Sequence, residues 1–98
     1  MVEQSGFDSL IALMFYVYIL KSIQDRKLYI GYTKDLKNRL SQHNKGLVES
    51  TKERRPFELV YYESYKNQID ALDREQGLKN SGSVYNGLVK RIKRSIDK

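Results

Sequence analysis

Apolar positions cluster in three short segments that predict β-strands. Residues 15–22 are apolar on both alternating faces as far as Leu20, which is typical of a central strand buried on both sides. A polar turn over residues 22–27 is followed by a second apolar run at 28–32, so the two runs predict an antiparallel hairpin. Residues 57–65 are rich in aromatic and branched side chains and predict a third strand.

Three further segments carry the pattern and the end signals of helices. The first begins after a capping residue, Thr33 or Asp35, and ends near residue 44. The second spans about 67–79, before a break over Asn80-Ser81-Gly82-Ser83, and the third covers about 84–96 with an apolar stripe along one side. The order ββαβαα predicts an α+β fold in which about three helices flank a small three-stranded antiparallel sheet.

Length and composition narrow the classes of protein to which the chain can belong. With 98 residues we expect one domain over residues 14–98, preceded by a weakly ordered lead-in over residues 1–13. The absence of cysteine and the single histidine exclude disulfides and thiolate catalysis and argue against a structural zinc site. No apolar run approaches the roughly 20 residues that a membrane span needs. We expect no membrane partner and a cytoplasmic location.

The charge is basic and unevenly placed, which favours a polyanionic partner. The net charge is +6, and residues 15–44 carry six basic against two acidic side chains. Residues 84–98 carry five basic against one, and the polar loop at 45–56 adds further cations. Nucleic acid is the partner that this distribution predicts, although solvated lysines on an ordinary basic protein would look the same. The predicted contacts are Lys34, Lys52, Arg54, Arg55, Lys90, Arg91 and Arg94.

One carboxylate falls where an apolar side chain is expected. At about 100° per residue, Glu75 lies on the arc of the second helix that also holds Ala71, Leu72 and Leu78. A carboxylate on a face that meets the sheet requires a compensating charge or good hydrogen-bond donors. An ion pair with an arginine such as Arg39 would supply this, and so would a divalent metal, for which carboxylate oxygen is a natural ligand.

Two pairs of polar side chains could act together with that carboxylate. Arg39 and His43 are four residues apart and share one side of the first helix, so they either border its apolar stripe or act as a phosphate ligand and a proton carrier. Tyr18 and Tyr29 lie in the two strands of the hairpin. A phenol ionises near pH 10, and we expect a nearby cation such as Arg39, Lys34 or a metal to favour the phenolate.

These motifs resemble the signature of a known family. Tyr16-Val17-Tyr18 and Tyr29-Ile30-Gly31 look like the paired motifs of the GIY-YIG nucleases, in particular the short single-domain bacterial members. The resemblance covers essentially residues 14–96 and continues through Arg39, His43, Thr51-Lys52, Pro56 and Arg74-Glu75. It implies a three-stranded antiparallel sheet flanked by helices, which agrees with the predicted order of elements.

The resemblance also implies roles for individual residues. Tyr18 and Tyr29 would be the motif tyrosines, one of which activates or orients the attacking water. Arg39 would hold the scissile phosphate, and His43 would assist proton transfer. Glu75 would bind a single Mg²⁺ or Mn²⁺, for which one protein carboxylate suffices because water and phosphate oxygens complete the coordination.

Three functions remain open from the sequence. The first is a metal-dependent endonuclease that cleaves DNA, with RNA as an alternative, at branched or damaged structures of the kind met in DNA repair. The second is a nucleic-acid-binding domain with little or no turnover, and the third is an interaction module whose polar residues are structural. In any of these, a protein partner could supply targeting.

Overall fold

The three predicted strands form one antiparallel sheet. The computed structural model describes residues 10, 11 and 13–97. Strands β1 (Phe15–Ser22), β2 (Leu28–Thr33) and β3 (Phe57–Tyr65) are ordered β2-β1-β3, so the strand with two apolar faces is the central one. This confirms the predicted α+β fold. The predicted lead-in lies mostly outside the described residues, and its weak order stays a prediction.

Four helices and a short 3-10 turn complete the described chain. The helices are α1 (Leu36–Asn44), α2 (Gln68–Asn80), α3 (Gly82–Arg91) and α4 (Lys93–Asp97), and the 3-10 turn lies at Lys52–Arg54. None of the helices in the described ranges is both long and apolar enough to cross a membrane.

The predicted boundaries of the last helix were wrong at both ends. Only Ser81 separates α2 from α3, because its side chain accepts a hydrogen bond from the Val84 N–H and so starts the next helix at Gly82. The helix then stops at Ile92, whose backbone has φ −107° and ψ 23°, and α4 follows as a separate short segment.

The two faces of the sheet carry different layers. Because side chains alternate along a strand, Val17 and Ile19 point to one face and Tyr18 and Leu20 to the other. We call the first the helical face; it is covered by α2 and α3 through Ala71, Leu78, Leu88 and Ile92. We call the second the α1 face, where the buried cluster around Tyr18 contacts Tyr29, Leu36, Leu40 and Leu59.

Helix α2 is rotated relative to the predicted apolar arc. Ala71 and Leu78 are buried against the sheet, but Leu72 is exposed, so the arc was wrong at that position. An ion pair fixes the rotation, since the Arg74 Nε donates to both carboxylate oxygens of Glu63 on β3 at 2.9 Å. The side chain of Glu75 therefore lies at the border of the buried surface and is 14% exposed.

Candidate active site

A hydrogen bond between Tyr18 and His43 forms the centre of the candidate site. Tyr18 belongs to the central strand and His43 to the last turn of α1, and their side chains meet on the α1 face. The phenol oxygen Oη lies 2.8 Å from the imidazole Nε2. Tyr18 is 1% exposed and His43 is fully buried, so water does not compete for this contact.

The register of the hairpin brings the second motif tyrosine to the same place. Tyr18 pairs with Gly31 and Leu20 pairs with Tyr29, so both phenols project from the α1 face. The ring centroid of Tyr29 is 6.4 Å from that of Tyr18 and 5.1 Å from that of His43. Tyr29 is only half-buried, which leaves it as the phenol with more contact to solvent.

Gly31 allows this arrangement because it has no side chain. A Cβ atom at this position would lie 2.3 Å from both Cζ and Oη of Tyr18, which is far inside van der Waals contact. The ring of Tyr18 therefore lies directly across the backbone of Gly31. The glycine of the second motif is thus explained by the position of the tyrosine in the first.

Arg39 lies one helical turn before His43, at the edge of the same cluster. Its Nη1 donates to the side-chain oxygen of Gln42 at 3.0 Å, and the residue is half-buried. Its positive charge acts on both partners of the central hydrogen bond, lowering the pKa of Tyr18 and of His43. The Arg39 guanidinium therefore lies near both Tyr18 and His43.

Glu75 approaches the site from α2. Its negative charge contributes to raising the pKa of Tyr18, which places the carboxylate in the electrostatic neighbourhood of the phenol. The ion pair recorded for Glu75 is with Lys79 on the same helix, at 3.3 Å, and not with Arg39 as one alternative predicted. Tyr18, Tyr29 and His43 are thus in contact, Arg39 lies beside Tyr18 and His43, and the Glu75 carboxylate influences Tyr18 through its charge.

Burial dominates the protonation of the two central groups. It raises the pKa of Tyr18 to about 12, and the opposing effect of Arg39 is too weak to reverse this. Arg39 thus acts on Tyr18 in the expected direction, towards the phenolate, but burial has the larger effect, and the effect of a metal on this phenol stays a prediction. Burial, with a smaller contribution from Arg39, also lowers the pKa of His43 to about 4. At neutral pH the pair consists of a neutral phenol and a neutral imidazole.

Two residues that support His43 were not assigned any role from the sequence. The Nδ1 atom of His43 lies 2.8 Å from the hydroxyl of Thr51, which is fully buried. The side-chain amide of Asn44 donates to the Phe57 carbonyl at 3.1 Å and accepts from the Phe57 N–H at 2.6 Å, so it joins α1 to β3. Thr51 lies in a polar stretch without periodicity and Asn44 at the end of α1, and only the resemblance drew attention to Thr51.

The basic residues of the 45–56 loop are engaged in contacts within the protein. Arg54 forms an ion pair with Asp25 at 2.7 Å. Arg55 donates to the Lys52 carbonyl at 2.8 Å, and the Lys52 ammonium lies 3.2 Å from Glu49. These contacts order the loop beside the site and leave its predicted contact with nucleic acid a prediction.

The remaining predicted nucleic-acid contacts lie on two sides of the molecule. Lys34 is exposed beside α1, at the rim of a groove that Tyr16 and Tyr62 also line. Lys90, Arg91 and Arg94 are exposed on α3 and α4, helices of the helical face, opposite Tyr18 and His43. The structure therefore does not bring all seven cations to one surface.

The donor set fits a metal ion that takes most of its ligands from water and substrate. Within residues 10, 11 and 13–97, no three His, Cys, Asp or Glu side chains are grouped as a metal cage would require. Glu75 offers one hard carboxylate, which is enough for Mg²⁺ or Mn²⁺ when phosphate oxygens and waters complete the shell. Its partner Lys79 is 43% exposed, so the ammonium can turn to solvent and leave the carboxylate to another cation.

Comparison with known proteins gives consistent results. The family description "GIY-YIG catalytic domain" matches residues 14–87. A UPF0213 protein of Pediococcus pentosaceus is 48% identical over 66 residues, which are 66% of this chain and 68% of that protein. A UPF0213 protein of Staphylococcus aureus (strain Mu3) is 46% identical over 65 residues, or 65% and 78% of the two chains.

A solved structure agrees with the fold. The solution NMR structure of a UPF0213 protein from Bacillus halodurans is 33% identical and superimposes with a TM-score of 0.50, over 79% of this chain and 83% of that one. The family match spans every element from β1 to most of α3, and it includes all five predicted site residues. A nucleic acid substrate follows from this domain type. The chain belongs to the GIY-YIG nuclease family.

Proposed function

We propose that this protein is a divalent-metal-dependent endonuclease that hydrolyses phosphodiester bonds in DNA. The observation that carries the proposal is the buried hydrogen bond from Tyr18 to His43, with Tyr29 against the same imidazole and Arg39 beside it. Phenols, an imidazole and a guanidinium in contact on one face can move a proton and bind a phosphate together.

Proton transfer in this proposal uses the phenol and the imidazole as one unit. His43 is neutral at neutral pH because its pKa is lowered to about 4, so its Nε2 holds an unprotonated lone pair that receives the hydrogen of Tyr18 as negative charge develops on the phosphate. The Tyr18 hydrogen passes to Nε2 while the Tyr18 oxygen takes a proton from the attacking water. No free phenolate has to exist in the resting protein, which is consistent with the raised pKa of Tyr18. Tyr29, the more exposed phenol, orients the water.

Charge stabilisation is assigned to Arg39 and Glu75. The Arg39 guanidinium binds the non-bridging oxygens of the scissile phosphate and stabilises the charge that grows there. Glu75 would hold Mg²⁺ or Mn²⁺, which when bound supplies Lewis-acid stabilisation of the same phosphate. Lys79 neutralises the Glu75 carboxylate and would give up this contact if a metal ion were bound there.

The nature of the site favours recognition by shape over recognition by sequence. Its side chains are suited to phosphate and metal, and neither group distinguishes one base from another. We therefore propose branched or damaged DNA as the substrate class, with RNA as the alternative and DNA repair as the setting. A protein partner in the cytoplasm would supply any further targeting.

The test combines metal dependence with substitution of the carboxylate. Plasmid and branched DNA are incubated with the protein in Mg²⁺, Mn²⁺ or EDTA, and products are resolved on gels. We expect cleavage only with metal, and we expect Glu75→Gln to abolish it while the melting temperature changes by no more than a few degrees. Asp73→Asn, an exposed carboxylate on the same helix, is the matched control and should cleave normally.

Each result that contradicts this expectation would point to a different explanation. Cleavage by Glu75→Gln at the normal rate would remove Glu75 from the metal site, and a large drop in its melting temperature would make Glu75 a structural residue. Binding of DNA without cleavage in either metal would favour the nucleic-acid-binding domain. No binding even at low salt would favour the interaction module.

A further inference from the structure

We propose that Thr51 is a positioning residue that holds His43 in the tautomer with its hydrogen on Nδ1, which leaves Nε2 free to accept the hydrogen of Tyr18. The inference rests on the proposed function, because the state of Nε2 matters to the reaction only if Tyr18 and His43 handle its proton. It concerns a residue that touches neither phosphate nor metal in the proposed mechanism.

Three buried side chains form a continuous hydrogen-bonded chain. Oη of Tyr18 lies 2.8 Å from Nε2 of His43, and Nδ1 of the same ring lies 2.8 Å from Oγ1 of Thr51. Both ring nitrogens therefore have a partner, and His43 and Thr51 are fully buried. The imidazole cannot exchange either partner for water without opening this part of the α1 face.

The donors and acceptors along the chain select one tautomer. Tyr18 keeps its hydroxyl hydrogen, and a buried hydroxyl requires an acceptor. Arg39 cannot accept because a guanidinium carries only donors, so Nε2 of His43 is the acceptor. A neutral imidazole has one N–H, which must then lie on Nδ1 and donate to Thr51 Oγ1.

The backbone around Thr51 holds the hydroxyl in place. The Val48 carbonyl accepts the N–H groups of Thr51 at 3.1 Å and of Lys52 at 3.0 Å, which fixes the start of the 3-10 turn. The same carbonyl lies 3.5 Å from Thr51 Oγ1. The Thr51 hydrogen can point to this carbonyl, so a lone pair of Oγ1 remains for the Nδ1 hydrogen.

Removal of the Thr51 hydroxyl should allow His43 to adopt its other tautomer, with little change in the packed volume. Valine has nearly the shape of threonine but offers Nδ1 no acceptor. The ring can then place its hydrogen on Nε2, where it can no longer take the hydrogen of Tyr18. Serine retains the acceptor oxygen and serves as the conservative control.

The single histidine of this chain makes the test direct, because the imidazole ¹⁵N spectrum contains only His43. We expect the wild-type protein and Thr51→Ser to show a protonated Nδ1 and an unprotonated Nε2, and Thr51→Val to shift towards a protonated Nε2. In metal-dependent cleavage, Thr51→Val should lower kcat at least about tenfold with little change in KM, since it impairs the base and not DNA binding. Thr51→Ser should recover most of the rate.

The ¹⁵N spectrum and the cleavage assay test different statements. A protonated Nε2 in the wild-type protein, or an unchanged tautomer in Thr51→Val, would overturn the assignment to Thr51, and the wild-type spectrum decides this even if Thr51→Val does not fold. A normal kcat for Thr51→Val with a shifted tautomer would overturn its positioning role. A wild-type protein that never cleaves would instead overturn the proposed function.

Discussion

At the scale of single residues, the protonation of Tyr18 and His43 follows from their removal from water. Desolvation disfavours the charged form of each group, which raises the pKa of the phenol and lowers that of the imidazole. The two neutral groups then match as donor and acceptor at 2.8 Å. In the resting protein at neutral pH, neither Tyr18 nor His43 therefore carries a charge.

The lowered pKa of His43 predicts a specific dependence of stability on pH. The imidazole pKa is about 6.5 in the unfolded chain and about 4 in the folded protein, so between these values the unfolded chain binds more protons. Stability is therefore lost as the pH falls from 7 to 5, by roughly 2 kcal/mol. Urea denaturation at both pH values measures the loss.

The control variant for this prediction lacks the single histidine of the chain. Because the chain has one histidine, His43→Gln should lose much less stability between pH 7 and pH 5 than the wild type does. Equal losses in the two proteins would show that His43 does not carry the effect.

At the scale of elements, the site depends on how closely strands and helix ends approach one another. The hairpin of β1 and β2 places the Tyr18 ring across the backbone of Gly31, and the side chain of Asn44 joins the end of α1 to the start of β3. Asn44 follows directly after His43, so this contact also determines where the imidazole lies. The short loop through Thr51 closes the same region from the other side.

Gly31→Ala tests the close approach within the hairpin. The added methyl would lie 2.3 Å from the Tyr18 phenol, so the buried ring must move. We expect a loss of roughly 1–3 kcal/mol in the free energy of unfolding, as is typical of overpacking, together with loss of cleavage. Equilibrium urea unfolding and the plasmid assay measure the two effects.

Gly87→Ala is the matched control. Gly87 lies in α3 and no atom comes within 4 Å of its would-be Cβ. Because alanine is the better helix former, this variant should gain about 0.5–1 kcal/mol and cleave normally. A Gly31→Ala protein as stable and active as the wild type would mean that the Tyr18 ring does not need its present position.

At the scale of the whole molecule, basic charge is divided between the two faces of the sheet. Lys34 and Lys52 accompany the candidate site on the α1 face, whereas Lys90 and Arg94 are on helices of the helical face. In the proposed function, a straight duplex bound beside the half-buried Tyr29 and Arg39 would lie on the same side of the sheet as the first pair. It reaches the second pair only if it bends around the sheet or if a second segment binds there.

The salt dependence of DNA binding distinguishes these two groups of cations. Each phosphate contact contributes about −0.9 to the slope of log K against log salt. We expect Lys34→Gln with Lys52→Gln to make the slope shallower by up to about 2, measured by fluorescence anisotropy in EDTA. The matched double variant Lys90→Gln with Arg94→Gln should change it less, and the reverse order would place the DNA on the helical face.

The sequence was sufficient for the three strands, the fold class and four residues that the structure places near one another. Apolar periodicity identified the strands, and the resemblance to the family motifs singled out Tyr18, Tyr29, Arg39 and His43, because both signals are local along the chain. The sequence did not predict the boundaries of α3, since a single serine side chain starts this helix at Gly82. The arc of α2 was also wrong at Leu72, because an ion pair with β3 sets the rotation of that helix.

Only the tertiary structure decided how the site residues are protonated and which neighbours hold them. The sequence suggested that cations would favour a phenolate, but burial outweighs Arg39 and keeps Tyr18 neutral. Thr51 and Asn44 became visible only in three dimensions, because their partners His43 and Phe57 are 8 and 13 residues away across turns that have no periodic pattern. Local sequence determines which groups are present, whereas desolvation and non-local contacts determine what those groups can do.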